Sequence, residues 1–148
     1  GQVFRLNNVF FDFDKNTLFS RNTCPIEIGQ VFRLNNVFFD FDKYSLRPES
    51  FVELDRVVAF LNEYPNIEIE MSAHTDSKGS DEYNMTLSDN RAKSVREYIL
   101  SKGIAAKRII SQGYGETKPV APNANDDGTD NPEGRQLNRR VEFKILKN

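Results

Sequence analysis

Arg91 is the residue whose setting first demands chemistry. It falls in the stripe Leu87, Arg91, Val95 and Ile99, spaced i, i+4, i+8 and i+12 with Tyr98 alongside, so a long helix would turn it inward among apolar neighbours. A charge there must find a partner, because an unpaired buried charge is strongly disfavoured. A second candidate is Asp76, just past the alternating run Ile67, Ile69, Met71 and Ala73. That puts it at the carboxyl end of a strand, where the clefts of α/β sheets open. An aspartate and an arginine facing one cleft can clamp a zwitterion. The carboxylate takes an ammonium group, and the guanidinium fork takes a carboxylate through two parallel bonds. The plainer alternative is that Arg91 pairs with an internal carboxylate and only braces the fold.

The elements that would position this pair read along the chain as alternating strand and helix. Residues 31–39, VFRLNNVFF, form a first strand, broken by DFDK. Pro48 and Glu49 suit a first helical turn, and Leu54, Val57, Val58 and Leu61 follow at helical spacing, with Phe51 on the same side. NIEIEMSA alternates as a half-buried second strand. A long helix is expected from Glu82 to Lys102, closed by Gly103, then a short strand from Arg108 to Gln112. Lys118 to Glu133 reads as a long surface loop, and VEFKI as a closing strand. The class is α+β: a βαβαβ-β sandwich with one mixed sheet packed against two main helices.

Composition bounds the function. The 148 residues are 38% hydrophobic and 28% charged with a net charge of -2, which argues against a nucleic-acid partner and its basic stripe. No apolar run approaches the roughly 20 residues of a membrane helix. The chain begins with Gly rather than Met, so an anchoring segment upstream is expected. Cys24 is the single cysteine, an incidental thiol or a partner in an intermolecular disulfide. His74 is the single histidine and is expected to be structural. With no motif for nucleophilic or metal-assisted chemistry, the chain is not expected to be an enzyme or to carry a cofactor.

The run FFDFDK, then SAHTD, then YNMTLSDNRAKSVREYILSKGI, then GYGETKP and NRRVEF resembles the OmpA-like peptidoglycan-binding domains of the OmpA, Pal and MotB type, over residues 31–146. The resemblance implies noncovalent binding of peptidoglycan through the diaminopimelate residue of its stem peptide. It implies a tether in the periplasm, associated with the outer membrane of a Gram-negative envelope. The family's key aspartate and arginine fall on Asp76 and Arg91, the first expected to hold the ammonium of the diaminopimelate side chain and the second its carboxylate. Asp42 matches a position lining the same pocket, Asn84 and Leu87 match residues bordering it, and Thr75 sits beside the aspartate. Of Arg139 and Arg140 in NRR, one is expected to be a structural ion pair. Ala73 replaces the family's usual Gly before His-Thr-Asp. The loop residues Asn123, Asn125, Asp127 and Gly128 faintly echo a calcium loop, but Gly134 stands where a bidentate acid is needed, so a solvated loop is expected. The alternative function is a protein-interaction scaffold of the same fold with no ligand in its pocket.

GQVFRLNNVFFDFDK occurs twice, at residues 1–15 and 29–43. An identical pair is unlike a solenoid, whose units drift in sequence and need about three copies to close a core. Residues 1–28 are therefore expected to be peripheral and 29–148 to form the binding domain, since only the second copy leads into the first helix. Three fates are open to the first copy: disorder, addition at a sheet edge, or displacement of the second copy, in its own chain or in a neighbour as a strand-exchanged homodimer.

Overall fold

The computed structural model describes residues 26–148 throughout, and before them only the backbone of three short strands, β1 (Val3–Leu6), β2 (Val9–Asp12) and β3 (Thr17–Ser20). These pair antiparallel in a sheet of their own. Other expectations for residues 1–25, including the fate of Cys24, lie outside the described residues.

The second copy supplies β4 (Val31–Leu34), shorter than expected because Asn35 and Asn36 turn the chain away. A 3₁₀ turn from Pro48 to Ser50 leads into helix α1 (Phe51–Glu63), followed by β5 (Glu68–His74) and α2 (Asp81–Ser101). Then come β6 (Ile109–Gly115), a short helix α3 (Pro132–Asn138) and β7 (Arg140–Lys147). The four-stranded sheet has the order β4-β7-β5-β6, with β5 and β6 parallel and the other pairs antiparallel. This is the mixed α+β sheet anticipated from the pattern, with α3 as an unforeseen third helix.

The core is aliphatic at the sheet centre, where Ile69, Met71, Ile109 and Ile145 are fully buried, and aromatic toward β4. There Phe32 stacks on Phe143 with ring centres 4.9 Å apart, and Phe60 of α1 packs on Phe143 at 5.7 Å. Phe51 stacks on Tyr98, whose hydroxyl donates to Asp55 at 2.7 Å, joining α1 to α2.

The buried stripe of α2 is not the expected one. It comprises Asn84, Ser88, Ala92, Val95 and Ile99, leaving Leu87 and Arg91 half-buried at its margin. The cause is close approach. A Cβ added at Gly113 of β6 would stand 2.2 Å from the Asp89 amide nitrogen, so the helix meets the strand through its small residues. Ser88 Oγ accepts from the Gly115 amide at 2.8 Å in the same seam. The displacement by one position leaves Arg91 outside the core, at the edge of a cleft.

Candidate functional site

The cleft has a volume of about 530 Å³ and opens between the loop after β4, the end of β5, α2 and α3. Its lining includes Phe39, Phe41, His74, Arg91, Arg139 and Arg140.

One wall is the turn Asp40–Lys43, closed by the Lys43 amide donating to the Asp40 carbonyl at 3.0 Å. Asp42 takes φ of 60° in it, a left-handed conformation that aspartate tolerates better than most residues. Phe41 at its tip is 96% exposed. Arg91 grips both ends of this turn: Nε donates to the Lys43 carbonyl at 2.9 Å and Nη2 to the Asp40 carbonyl at 3.4 Å. Its guanidinium also lies 4.9 Å from the centre of the Phe39 ring. Burial lowers the Arg91 pKa, the Asp42 carboxylate pulls it back up, and the Arg139 charge lowers it again. Arg91 therefore braces a loop through carbonyls, and among the described residues no carboxylate bonds to it directly. Behind the turn, Ser50 at the start of α1 pins the chain, accepting from the Phe38 amide at 2.7 Å and donating to its carbonyl at 3.1 Å.

The opposite wall is lined by Arg139 and Arg140, with Asp76 behind Arg139; neither Asp76 nor Asp42 is part of the cleft lining. Asp76 is 7% exposed at the end of β5. Its Oδ1 accepts from the Lys78 amide at 2.9 Å, and its Oδ2 from Arg139 Nη1 at 2.5 Å and Arg135 Nη1 at 3.5 Å. Burial alone would raise this carboxyl, but the Lys78 amide and the two guanidiniums outweigh it and hold it below its ordinary value. Thr75 is buried, with its amide on the Gly115 carbonyl and its hydroxyl on the Asp76 carbonyl. Asn84 is 3% exposed and donates to the carbonyls of Asp76 and Lys78 at 3.3 and 3.0 Å and to Glu116 at 3.2 Å. Thr75 and Asn84 thus fix the aspartate's loop rather than face the cleft. Leu87 is half-buried and is not part of the cleft lining.

The three residues NRR divide the remaining labour. Asn138 is fully buried and staples the long loop: its Oδ1 accepts from the amides of Val120 and Ala121, and its Nδ2 donates to the Ala121 carbonyl and to Asn123. Arg139 reaches Asp76. Arg140 is buried, donating to Glu142 at 2.5 Å and to the carbonyls of Asn138 and Lys118, and is a structural ion pair. His74 stacks on Tyr114 and shares a hydrogen bond of 3.2 Å with Ser72 through Nε2, while Nδ1 has no partner among the described residues. Burial, with Arg140 adding to it, pushes its pKa down to about 4, so the ring is neutral at physiological pH. Among the described residues no cluster of His, Cys, Asp or Glu could hold a metal, and no helix is long and apolar enough to cross a membrane.

The model of one protein family matches residues 38–132, more than half of the chain. The chain belongs to the OmpA family. It is 42% identical over 139 residues to outer membrane protein A of Bordetella avium, covering 94% of this chain and 54% of that protein. A stretch of 101 residues is 50% identical to part of the photosystem I P700 chlorophyll a apoprotein A2 of Gloeobacter violaceus, covering 68% of this chain and 12% of that one. The peptidoglycan-binding protein ArfA of Mycobacterium tuberculosis is 38% identical over 101 residues, 68% of this chain and 29% of that protein. Among solved structures, the peptidoglycan-associated lipoprotein of Burkholderia pseudomallei superposes with a TM-score of 0.59 at 25% identity, covering 76% of this chain and 89% of that one. The chain thus spans a little over half of one of these curated relatives and less of the other two.

Proposed function

We propose that the chain binds cell-wall peptidoglycan noncovalently, through the diaminopimelate residue of the stem peptide, and so ties the outer membrane or an envelope complex to the wall. The domain that does so is residues 29–148, with residues 1–28 peripheral to it. The observation that carries this reading is a cleft faced by Arg91 from one wall and, from the other, by Arg139 paired to the buried Asp76. A carboxylate offers about four acceptor positions, and three donors reach Asp76, so one position on Oδ1 is left for an ammonium group. Arg91 Nη1 is likewise free of the two carbonyls that hold the rest of its head. Family membership and relatives named for peptidoglycan support the wall polymer as the partner. The reading is of a binding module and not an enzyme: His74 is buried and neutral, and the relatives carry names of binding and envelope proteins.

The test is titration of a soluble diaminopimelate-containing muropeptide into wild type, Asp76→Asn and Arg91→Ala. Saturable binding to wild type with near-complete loss in both variants is expected, since each strands the opposite charge of the ligand. Binding unchanged in both variants would identify a scaffold with an idle pocket, and no saturable binding to wild type would overturn the reading.

A further inference from the structure

We infer that Arg139 is a second anion-binding residue of the cleft, sharing the ligand's carboxylate with Arg91 while it positions Asp76. The inference rests on the diaminopimelate reading above and assigns one more residue to that site. Arg139 is placed for both tasks at once. Its Nη1 donates to Asp76 Oδ2, yet its side chain is 42% exposed and lines the cleft together with Arg91. Neither Nε nor Nη2 of Arg139 has a hydrogen-bond acceptor among the described residues, so two donors of a planar fork remain unspent. Arg140, its neighbour in the chain, differs: its Nε, Nη1 and Nη2 all donate to protein acceptors.

Electrostatics gives the two free ends a common target. The positive charge of Arg139 weighs against the charge on Arg91, and both guanidiniums line the same cleft. Asp76 offsets Arg139 from behind and is shared with Arg135, and Asp42 on the turn offsets Arg91. A carboxylate held between the two heads would satisfy both forks and relieve the repulsion. The ammonium of the same amino-acid centre would then fall toward the remaining position on Asp76 Oδ1. Discrimination follows from this arrangement: two cations around one carboxylate should reject its uncharged carboxamide more strongly than one would.

The experiment measures binding of two muropeptides that differ only at the free amino-acid centre of diaminopimelate, one with the carboxylate and one with the carboxamide. Wild type is expected to prefer the carboxylate by roughly a hundredfold. In Arg139→Gln, which keeps a donor near Asp76 without the charge, that preference is expected to fall about tenfold, while Arg139→Lys retains most of it. Thermal melting of each variant accompanies the titration, so a change in selectivity is read on folded protein. If Arg139→Gln weakens both muropeptides by the same factor, Arg139 acts only by orienting Asp76 and the inference is overturned. Failure of wild type to bind either muropeptide has a different meaning, because it removes the diaminopimelate reading itself and this inference with it.

Discussion

The two walls of the cleft are built on different principles. The Asp76 wall is assembled from regular elements: a strand end, the first turn of α2 and the helix α3, each held by side-chain bonds from Asn84, Arg135 and Asn138. The Asp42 wall is a four-residue turn whose contacts to α2 are two carbonyls in the grip of Arg91. The first is formed before any ligand arrives. The second depends on a residue that a ligand would also want. A site of this kind has its anion pre-ordered and one of its cations employed as a structural clasp, so binding and loop order should be coupled.

The largest expected effect comes from breaking the foundation of the built wall. Gly113→Val places carbon atoms where the Asp89 amide lies, and neither strand nor helix backbone can yield cheaply. A loss of about 3 kcal/mol or more is expected in urea denaturation. If the variant melts like wild type, the seam between α2 and β6 is looser than this description and the contrast between the walls fails.

Acid should act on the same wall. His74 has its folded-state pKa lowered to about 4, against about 6.5 when unfolded. The unfolded chain therefore binds a proton before the folded one does. Stability is unaffected above pH 6.5 and declines as pH falls from 6.5 to 4, by up to about 3 kcal/mol from this residue. The groups facing the ring are Arg140, Glu142, Lys118 and Tyr114. His74→Gln should flatten the slope between pH 6.5 and 5 in thermal melts, and an unchanged slope would assign the acid lability elsewhere.

A smaller effect is expected from Asn84→Ala, which removes three donations to the Asp76 loop and Glu116. About 2 kcal/mol should be lost. Hydrogen exchange at the Lys78 amide should accelerate, because that amide's bond to Asp76 depends on the loop Asn84 holds. Exchange rising equally across the whole domain would mean that Asn84 supports the fold at large rather than this wall.

The difference between the walls also explains what could be read from residues alone. The order of the elements was legible because β5, α1 and α2 are long and strongly patterned. Asp76 could be placed because the alternation of β5 ends three residues before it, at Ala73. Val95 and Ile99 of the expected stripe are buried, but its first half lies one position off, since hydrophobicity favours Leu87 whereas the geometry at Gly113 demands Ser88 and Ala92. Helix α3 escapes the sequence pattern because NPEGRQLN is short and rich in breakers. Its signal was nonetheless present: Asn131 accepts from the Gly134 amide at 3.1 Å as a cap, and Pro132 occupies the first turn. The roles of Asn138, Arg139 and Arg140 depend on three successive side chains leaving a helix end in different directions, which no spacing rule encodes. The two copies of FFDFDK diverge just beyond their identity: Ser50, which pins Phe38, has Asn22 at the corresponding place 28 residues earlier.

The smallest expected effect tests what holds the turn. Asp42 adopts φ of 60°, so its backbone conformation and its charge beside Arg91 are separable contributions. Asp42→Asn keeps a residue tolerant of the left-handed region and removes the charge, and its stability should stay within about 0.5 kcal/mol of wild type. Asp42→Val keeps neither and should cost about 1–2 kcal/mol, because a β-branched residue is strained at this φ. On this account the turn is held by conformation and by the Arg91 clasp, with the Asp42 charge secondary. If the Asn variant is as unstable as the Val variant in parallel melts, the attraction between Asp42 and Arg91 is what holds the wall. A ligand carboxylate would then compete directly with Asp42 for Arg91, and loop opening rather than loop order would accompany binding.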